Sequence, residues 1–384
     1  MDAVREFHLY KVPPRWLFLK IVTEDGVVGW GEPIVEGKAD TVAAAVRELG
    51  HHLVGMDANR IENIWQTLYR GGFYRGGPIL MSAISGIEQA LWDIKGKRLG
   101  VPVYELLGGA VRDKMSVYSW VGGDEPSEVV DAIQQRQEAG FSRFKMNVAG
   151  RLEWLETPQQ IRRIVETLSE IRDKIGWDVG IGLDFHGRVR KPLARLLARE
   201  LEPLKPMFLE EPALPEHPDV LKVISQHTVT PIATGERLFG RTDFKPLLEQ
   251  GSVDIIQPDL SHAGGIWEVR KIAAMAEAYD VAVAPHCPLG PLAFASSLHL
   301  DFCTPNALIQ ETSLGIHYHE GSNDLLDYMV NPEIFHVEGG YITRNRLPGL
   351  GVEIDEKKVE QAAKKGHDWH NPIWRNEDGS VTEW

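Results

Sequence analysis

A (β/α)₈ barrel that carries an N-terminal α+β capping domain is the fold class that this sequence of 384 residues predicts. From residue 114 onward, short apolar or β-branched runs each end in a polar residue and alternate with helical patterns. There are eight such runs, with polar ends 23 to 39 residues apart, and eight strand–helix units close a barrel of this type. The runs are Met115–Ser119, Ser142–Asn147, Val179–His186, Pro206–Glu211, Pro231–Glu236, Val253–Asp259, Val281–His286 and Ala307–Glu311.

The residues before the barrel follow a different pattern, which predicts the capping domain. Two alternating runs, Leu17–Val22 and Val27–Trp30, flank an Asp25-Gly26 turn, as expected for a β-hairpin. Helical spacing of apolar residues then covers three segments, Asp40–Leu53, Ile61–Tyr69 and Ile79–Leu99. Strands followed by helices indicate a small α+β domain.

Domain boundaries are expected where these patterns change. We predict a capping domain over residues 1–113 and a barrel over 114–320. The polar, Gly/Pro-rich segment 321–384 is expected to return to the capping domain.

An open, doubly wound sheet is the alternative fold, because it also alternates strands and helices. That fold would carry a G-x-G-x-x-G turn after a strand. Here Gly180-Ile181-Gly182 has Phe185 where the third glycine belongs, and it lies inside a predicted strand. The sequence therefore favours the closed barrel.

Composition and charge limit the partners that this protein can have. Lys and Arg number 41 against 55 Asp and Glu, and the net charge of −14 argues against nucleic-acid or membrane partners. The first residues lack the apolar run of a signal peptide, so a cytoplasmic location is expected. Cys287 and Cys303 are too few for a disulfide framework. Several of the eleven tryptophans lie near the C-terminal end, which is consistent with a homo-oligomer.

Three consecutive predicted strands end in carboxylates, which are Asp184, Glu210 and Glu236. Strand ends meet at one mouth of a barrel, where three carboxylates would repel one another unless a cation neutralised them. Oxygen ligands without cysteine favour Mg²⁺, and we expect one ion per chain. Such an ion stabilises the ene-diolate that forms when the α-proton of a carboxylic acid leaves.

A histidine and an aspartate end the next two runs and form a candidate base. Asp259 ends the sixth run and His286 the seventh. A carboxylate that bonds one ring nitrogen orients the imidazole and raises its basicity. We therefore expect His286 to be a general base that Asp259 supports.

Two further residues complete the predicted ring of polar side chains. His186 stands two residues beyond Asp184, so that in an extended segment both would point the same way. It is a candidate general acid, with a fourth metal ligand and a structural loop residue as the alternatives. Glu311 ends the eighth run, where it would hydrogen-bond the developing enolate or a substrate hydroxyl.

With this constellation the chain resembles the enolase superfamily, and within it the mandelate racemase subgroup, over essentially its whole length. In that subgroup the second barrel strand often carries K-x-K, whose second lysine is a base, whereas Lys145-Met146-Asn147 has asparagine there. The resemblance therefore implies a dehydratase with a single base rather than a racemase with two. The stretches most similar to sugar-acid dehydratases are Tyr74–Pro78, Val117–Trp120, Asp184–Arg188, Thr234–Leu238, Gln257–Gly265 and Ala284–Pro291.

The resemblance also implies a substrate and a role for each residue. It implies Mg²⁺-dependent dehydration of D-galactonate, in which His286 takes the C2 proton and His186 protonates the departing 3-hydroxyl. The implied substrate-binding residues are Arg15, Trp16, Lys145, Asn147, His186, Glu236, His286 and Glu311. The alternative hypothesis is dehydration of another aldonate such as D-gluconate. A more distant alternative is that the protein binds a sugar acid without catalysing a reaction.

Overall fold

The capping domain is a three-stranded antiparallel sheet covered by helices. The structure, a computed structural model, describes residues 2–123, 125–316 and 324–383. The sheet has the order β1-β2-β3, and the Asp25-Gly26 turn joins β2 to β3 with Gly26 in the left-handed region that glycine favours. The elements are β1 (Val4–Val12), β2 (Trp16–Thr23), β3 (Val28–Gly31), α1 (Ala39–Leu53), α2 (Ile61–Arg70), α3 (Gly77–Leu99) and α4 (Val103–Leu106).

Eight parallel strands alternate with helices along the next two hundred residues. Each of the eight predicted runs contains or overlaps one strand. The elements are β4 (Lys114–Trp120), α5 (Pro126–Glu138), β5 (Arg143–Asn147), α6 (Pro158–Ile175), β6 (Gly180–Asp184), α7 (Lys191–Glu200), β7 (Leu209–Glu210), α8 (Pro218–Ser225), β8 (Ile232–Thr234), α9 (Arg241–Gln250), β9 (Ile255–Ile256), α10 (Ile266–Glu277), β10 (Ala282–Val283), α11 (Pro291–Phe302) and β11 (Gln310–Thr312).

These strands close into a barrel. Parallel pairing runs without interruption from β4 to β10, and β11 returns to pair with β4. A parallel bridge between Val283 and Ala307 joins β10 to the chain just before β11 and completes the circle. The predicted fold class, a barrel with an α+β cap, is confirmed.

The C-terminal segment contacts both parts of the molecule. A hairpin of β12 (Val337–Glu338) and β13 (Tyr341–Thr343) pairs antiparallel with the start of β4, which the sequence did not predict. Helix α12 (Glu356–Lys365) then packs on β1, and Lys20 of β2 forms an ion pair with Glu356. The predicted boundary at residue 320 lies outside the described residues.

Across the described ranges, no helix is both long enough and apolar enough to cross a bilayer.

Candidate active site

The three predicted metal-ligating carboxylates lie together at the carboxyl-end mouth of the barrel. Asp184 is the last residue of β6 and Glu210 the last of β7, whereas Glu236 lies two residues beyond β8. One oxygen from each of the three lies within 4.8 Å of the others. Asp184 Oδ2 and Glu236 Oε2 are buried and accept no hydrogen bond, so that both oxygens can still ligate a cation.

The carboxylates of this cluster are buried and repel one another, and a bound cation would offset both effects. Burial and the carboxylate of Asp184 raise the pKa of Glu210 well above its usual value, although Lys145 opposes the shift. Burial alone would raise the pKa of Glu236, but the neighbouring histidines, His286 first, lower it overall. Two buried oxygens without a hydrogen bond, the close spacing and an all-oxygen donor set together fit a hard divalent cation.

Lys145 lies at the centre of the barrel rather than at a strand end. It occupies the middle of β5, and the alternation of the strand turns its side chain inward. Its Nζ lies 2.7 Å from Glu210 Oε1, 2.8 Å from Glu311 Oε1 and 3.4 Å from Asp184 Oδ2. Burial alone would lower the pKa of Lys145, but these carboxylates raise it well above the usual value, so the amine is a fixed cation.

The predicted Asp259–His286 pair is present in the structure. Each residue lies three positions beyond its strand, on the loops after β9 and β10. His286 Nδ1 lies 2.8 Å from Asp259 Oδ2, which leaves Nε2 facing the metal cluster, 3.5 Å from Glu236 Oε2. Burial alone would lower the pKa of His286, but the surrounding carboxylates raise it well above the usual value.

His186 reaches the site by a geometry different from the one predicted. The chain turns after Asp184, and His186 has a φ of 48°, so the predicted extended segment is wrong. This turn lets the His186 backbone N–H donate to Asp184 Oδ1 at 2.8 Å, while its ring Nε2 lies 3.1 Å from Asp184 Oδ2. Burial lowers the pKa of His186, and the neighbouring carboxylates only partly oppose the shift.

Glu311 and Asn147 both lie near the mouth, Glu311 within strand β11 and Asn147 at the end of strand β5. Glu311 is the middle residue of β11 rather than its end, and both of its carboxylate oxygens have a polar partner. Oε1 faces Lys145 at 2.8 Å, and Oε2 accepts from the Cys287 backbone N–H at 3.1 Å. Asn147 ends β5 in register with Asp184, and its Oδ1 is buried without a hydrogen-bond partner.

Arg15 and Trp16 lie in the capping domain, where Arg15 immediately precedes β2 and Trp16 is the first residue of that strand. Arg15 Nη2 forms a 2.8 Å ion pair with Glu36 Oε1, and its guanidinium lies 4.7 Å from the ring of Trp369. Both Arg15 and Trp16 are buried. The structure therefore places them among capping-domain and C-terminal residues.

Sequence reasoning missed two polar contacts that support the metal cluster. Gln257 is fully buried, and its Nε2 donates to Glu210 Oε2 at 2.8 Å. Arg237 holds Glu211 with two hydrogen bonds of 3.0 and 2.5 Å. Gln257 stands two residues before Asp259 in the sixth run, so the inward alternation of that run was the available signal.

Two protein-family models match this chain. Residues 13–108 match the mandelate racemase / muconate lactonizing enzyme N-terminal domain, and residues 128–358 match the enolase C-terminal domain-like family. The chain is 59% identical over 375 residues to a D-galactonate dehydratase from Ralstonia pickettii and 57% identical to one from Pectobacterium atrosepticum. Each alignment covers 98% of both chains.

Solved structures share the same architecture. An enolase from Agrobacterium radiobacter bound to sodium and L-malate is 32% identical, with a TM-score of 0.91 and full coverage of both chains. An enolase from Pantoea ananatis with bound D-gluconate and magnesium is 30% identical, with a TM-score of 0.85 over 99% of both chains. From its barrel, its cap and these matches, the chain belongs to the mandelate racemase / muconate lactonizing enzyme family of the enolase superfamily.

Proposed function

We propose that this protein is a hydro-lyase that converts D-galactonate to 2-dehydro-3-deoxy-D-galactonate and water. The observation that carries the proposal is the placement of the Asp259–His286 pair beside the carboxylate cluster, with His186 on the cluster's other side. The high identity to D-galactonate dehydratases supports the choice of substrate.

His286 is the base in this proposal. Its Nδ1 is engaged by Asp259, so Nε2 is the nitrogen that faces the mouth and removes the C2 proton. Asp259 fixes the ring and stabilises the imidazolium that results. Asn147 stands where related racemases have a second base, and its amide cannot remove a proton, which favours elimination over racemisation.

His186 is the acid. Hydroxide is a poor leaving group, so the 3-hydroxyl must be protonated as it departs. The ring of His186 is one of the side chains at the mouth that keep some exposure, and it lies across the cluster from His286. Base and acid are therefore separate residues.

Lys145, which Glu311 holds, gives electrostatic support to the developing negative charge. The buried ammonium of Lys145 lies among the carboxylates at a fixed position, and Glu311 accepts from both Lys145 and Cys287 N–H. Because both Glu311 oxygens are engaged, we propose that Glu311 acts by holding Lys145 and the His286 loop. Mg²⁺ held by Asp184, Glu210 and Glu236 would add positive charge beside the substrate carboxylate.

Arg15 and Trp16 are proposed to select the sugar acid by contacting its distal hydroxyls when the capping domain closes.

The remaining assignments are part of the same proposal: the three segments 1–113, 114–320 and 321–384, the cytoplasmic location and a homo-oligomeric assembly. D-Gluconate is the second candidate substrate, since the Pantoea ananatis enolase holds it in the same fold.

A panel of aldonates tests the substrate. D-Galactonate, D-gluconate and D-arabinonate are incubated with enzyme and Mg²⁺, and 2-keto acid formation is followed. We expect D-galactonate to be preferred, and Arg15→Ala to raise its KM by about tenfold, the loss of one directed polar contact. Arg5→Ala is the matched control, because Arg5 is an exposed arginine of the capping domain that pairs with its neighbour Glu6. Equal turnover of all three acids would refute the assignment to D-galactonate.

A further inference from the structure

Two residues of the capping domain are joined to the catalytic base by hydrogen bonds. Asp259 Oδ1 accepts from Ser261 N at 2.7 Å, and Ser261 Oγ accepts from Gln89 Nε2 at 3.0 Å. Gln89 Oε1 then accepts from the backbone N–H of Glu32 at 2.9 Å. This series connects the Asp259 loop of the barrel to α3 and to the residue that follows β3.

Glu32 links this series of hydrogen bonds to the loop that carries His286. Its Oε1 accepts from Gly290 N at 2.6 Å, and its Oε2 accepts from Leu292 N and Ala293 N at 3.2 Å each. The carboxylate therefore caps the first turn of α11, which begins five residues after His286. A side chain at Gly290 would overlap this carboxylate, so glycine permits the approach.

Together these bonds form a closed circuit around the base. It runs from His286 through Asp259, Ser261, Gln89 and Glu32 to Gly290, and the short chain segment 286–290 closes it. The side chains of Glu32, Gln89 and Ser261 are fully buried, so that each bond is protected from water. A fully satisfied buried network of this kind fixes the geometry of its members.

We infer that Glu32 and Gln89 are positioning residues through which the capping domain holds His286 in the orientation that proton abstraction requires. The inference rests on the proposed role of His286 as base. It predicts that the barrel loops alone do not orient the base, and that part of the rate depends on a contact made by the other domain. Small misplacements of a catalytic group reduce the rate by about a hundredfold.

Gln89→Leu tests the inference, because leucine keeps the buried volume and removes both hydrogen bonds. We expect kcat for D-galactonate to fall ten- to a hundredfold with KM within about twofold, and the kinetic isotope effect of C2-deuterated substrate on kcat to increase. Ser261→Ala breaks one bond of the same circuit and should act in the same direction. It also serves as the milder variant if Gln89→Leu does not fold. In the double variant the two losses should not add.

Glu88→Gln is the matched control. Glu88 is the neighbour of Gln89, is buried like Glu32, and caps α10 by accepting from Ile266 N and Trp267 N, outside the circuit. We expect this variant to lose thermal stability and to keep kcat within about twofold. An equal loss of kcat in Glu88→Gln, or wild-type kcat and isotope effect in Gln89→Leu, would overturn the inference.

A measurement without substrate separates this inference from the proposed function. The Nδ1 proton between His286 and Asp259 should give a downfield NMR resonance, assigned by its loss in His286→Asn. The resonance should shift or broaden in Gln89→Leu and persist in Glu88→Gln. If it is unchanged in Gln89→Leu, the positioning role is wrong. A wild-type enzyme that does not turn over D-galactonate would instead refute the proposed function alone.

Discussion

The two halves of the barrel mouth are supported in different ways. On one side, Lys145, Asp184 and Glu210 lie on three adjacent strands and contact one another directly inside the barrel. On the other side, Asp259 and His286 lie on loops beyond short strands, and capping-domain side chains bond to those loops. The comparison shows that the barrel alone builds the metal half, whereas the base half is built at the interface between domains.

The largest effect is expected on the metal half. Glu210→Gln should abolish both Mg²⁺ binding and dehydration, with a loss of activity of at least about a thousandfold, because the cluster loses a central ligand. Glu170→Gln, at an exposed carboxylate paired with Lys174, is the control and should change neither. Calorimetric titration with Mg²⁺ and the 2-keto acid assay check this. Full turnover by chelator-treated enzyme would show that the cluster is not a metal site.

The base and the acid can be separated by isotope exchange. His286→Asn should stop dehydration and the exchange of the C2 hydrogen with D₂O, whereas His186→Asn should lose dehydration and keep slow exchange. Each loss of dehydration should be on the order of 10²- to 10⁴-fold. NMR of the substrate incubated in D₂O with each variant measures both rates.

Asp259→Asn belongs to the same comparison, and it should resemble His286→Asn in a milder form because the base itself remains. Exchange that survives in His286→Asn and disappears in His186→Asn would reverse the two roles.

The smallest effect is a pH dependence of stability at the interface between domains. Burial raises the pKa of Glu88 to about 7, although the backbone N–H groups of α10 oppose the shift. At pH values between the usual pKa of 4.5 and about 7, Glu88 is ionised in the unfolded chain but keeps its proton in the folded protein. The free energy of unfolding therefore falls as the pH rises through this range.

Comparison with Glu88→Gln, which cannot ionise, isolates this contribution. Its stability deficit relative to wild type should shrink by about 2–3 kcal/mol between pH 4.5 and pH 7.5, given ~1.4 kcal/mol per unit of pKa. Urea unfolding of both proteins at the two pH values measures the difference. A deficit that is constant or grows with pH would contradict the assigned shift.

The fold class and most of the candidate site could be predicted from local patterns in the chain. Eight apolar runs with polar ends indicate eight strands, and an ordered barrel brings the ends of successive strands to one mouth. The sequence alone thus points to five residues of the site, which are Asp184, Glu210, Glu236, Asp259 and His286. The roles of these residues stay predictions until the variants are measured.

What the sequence by itself determined is therefore the set of residues at the mouth, because strand periodicity and strand order are encoded locally. The tertiary structure alone decided how they are held. The inward placement of Lys145 against Glu311 and the bonds from Gln89 and Glu32 to the base loops join distant segments. Such contacts depend on how two domains pack, and no local spacing reports them, because hydrogen bonds between buried groups form only once packing has removed water from both partners.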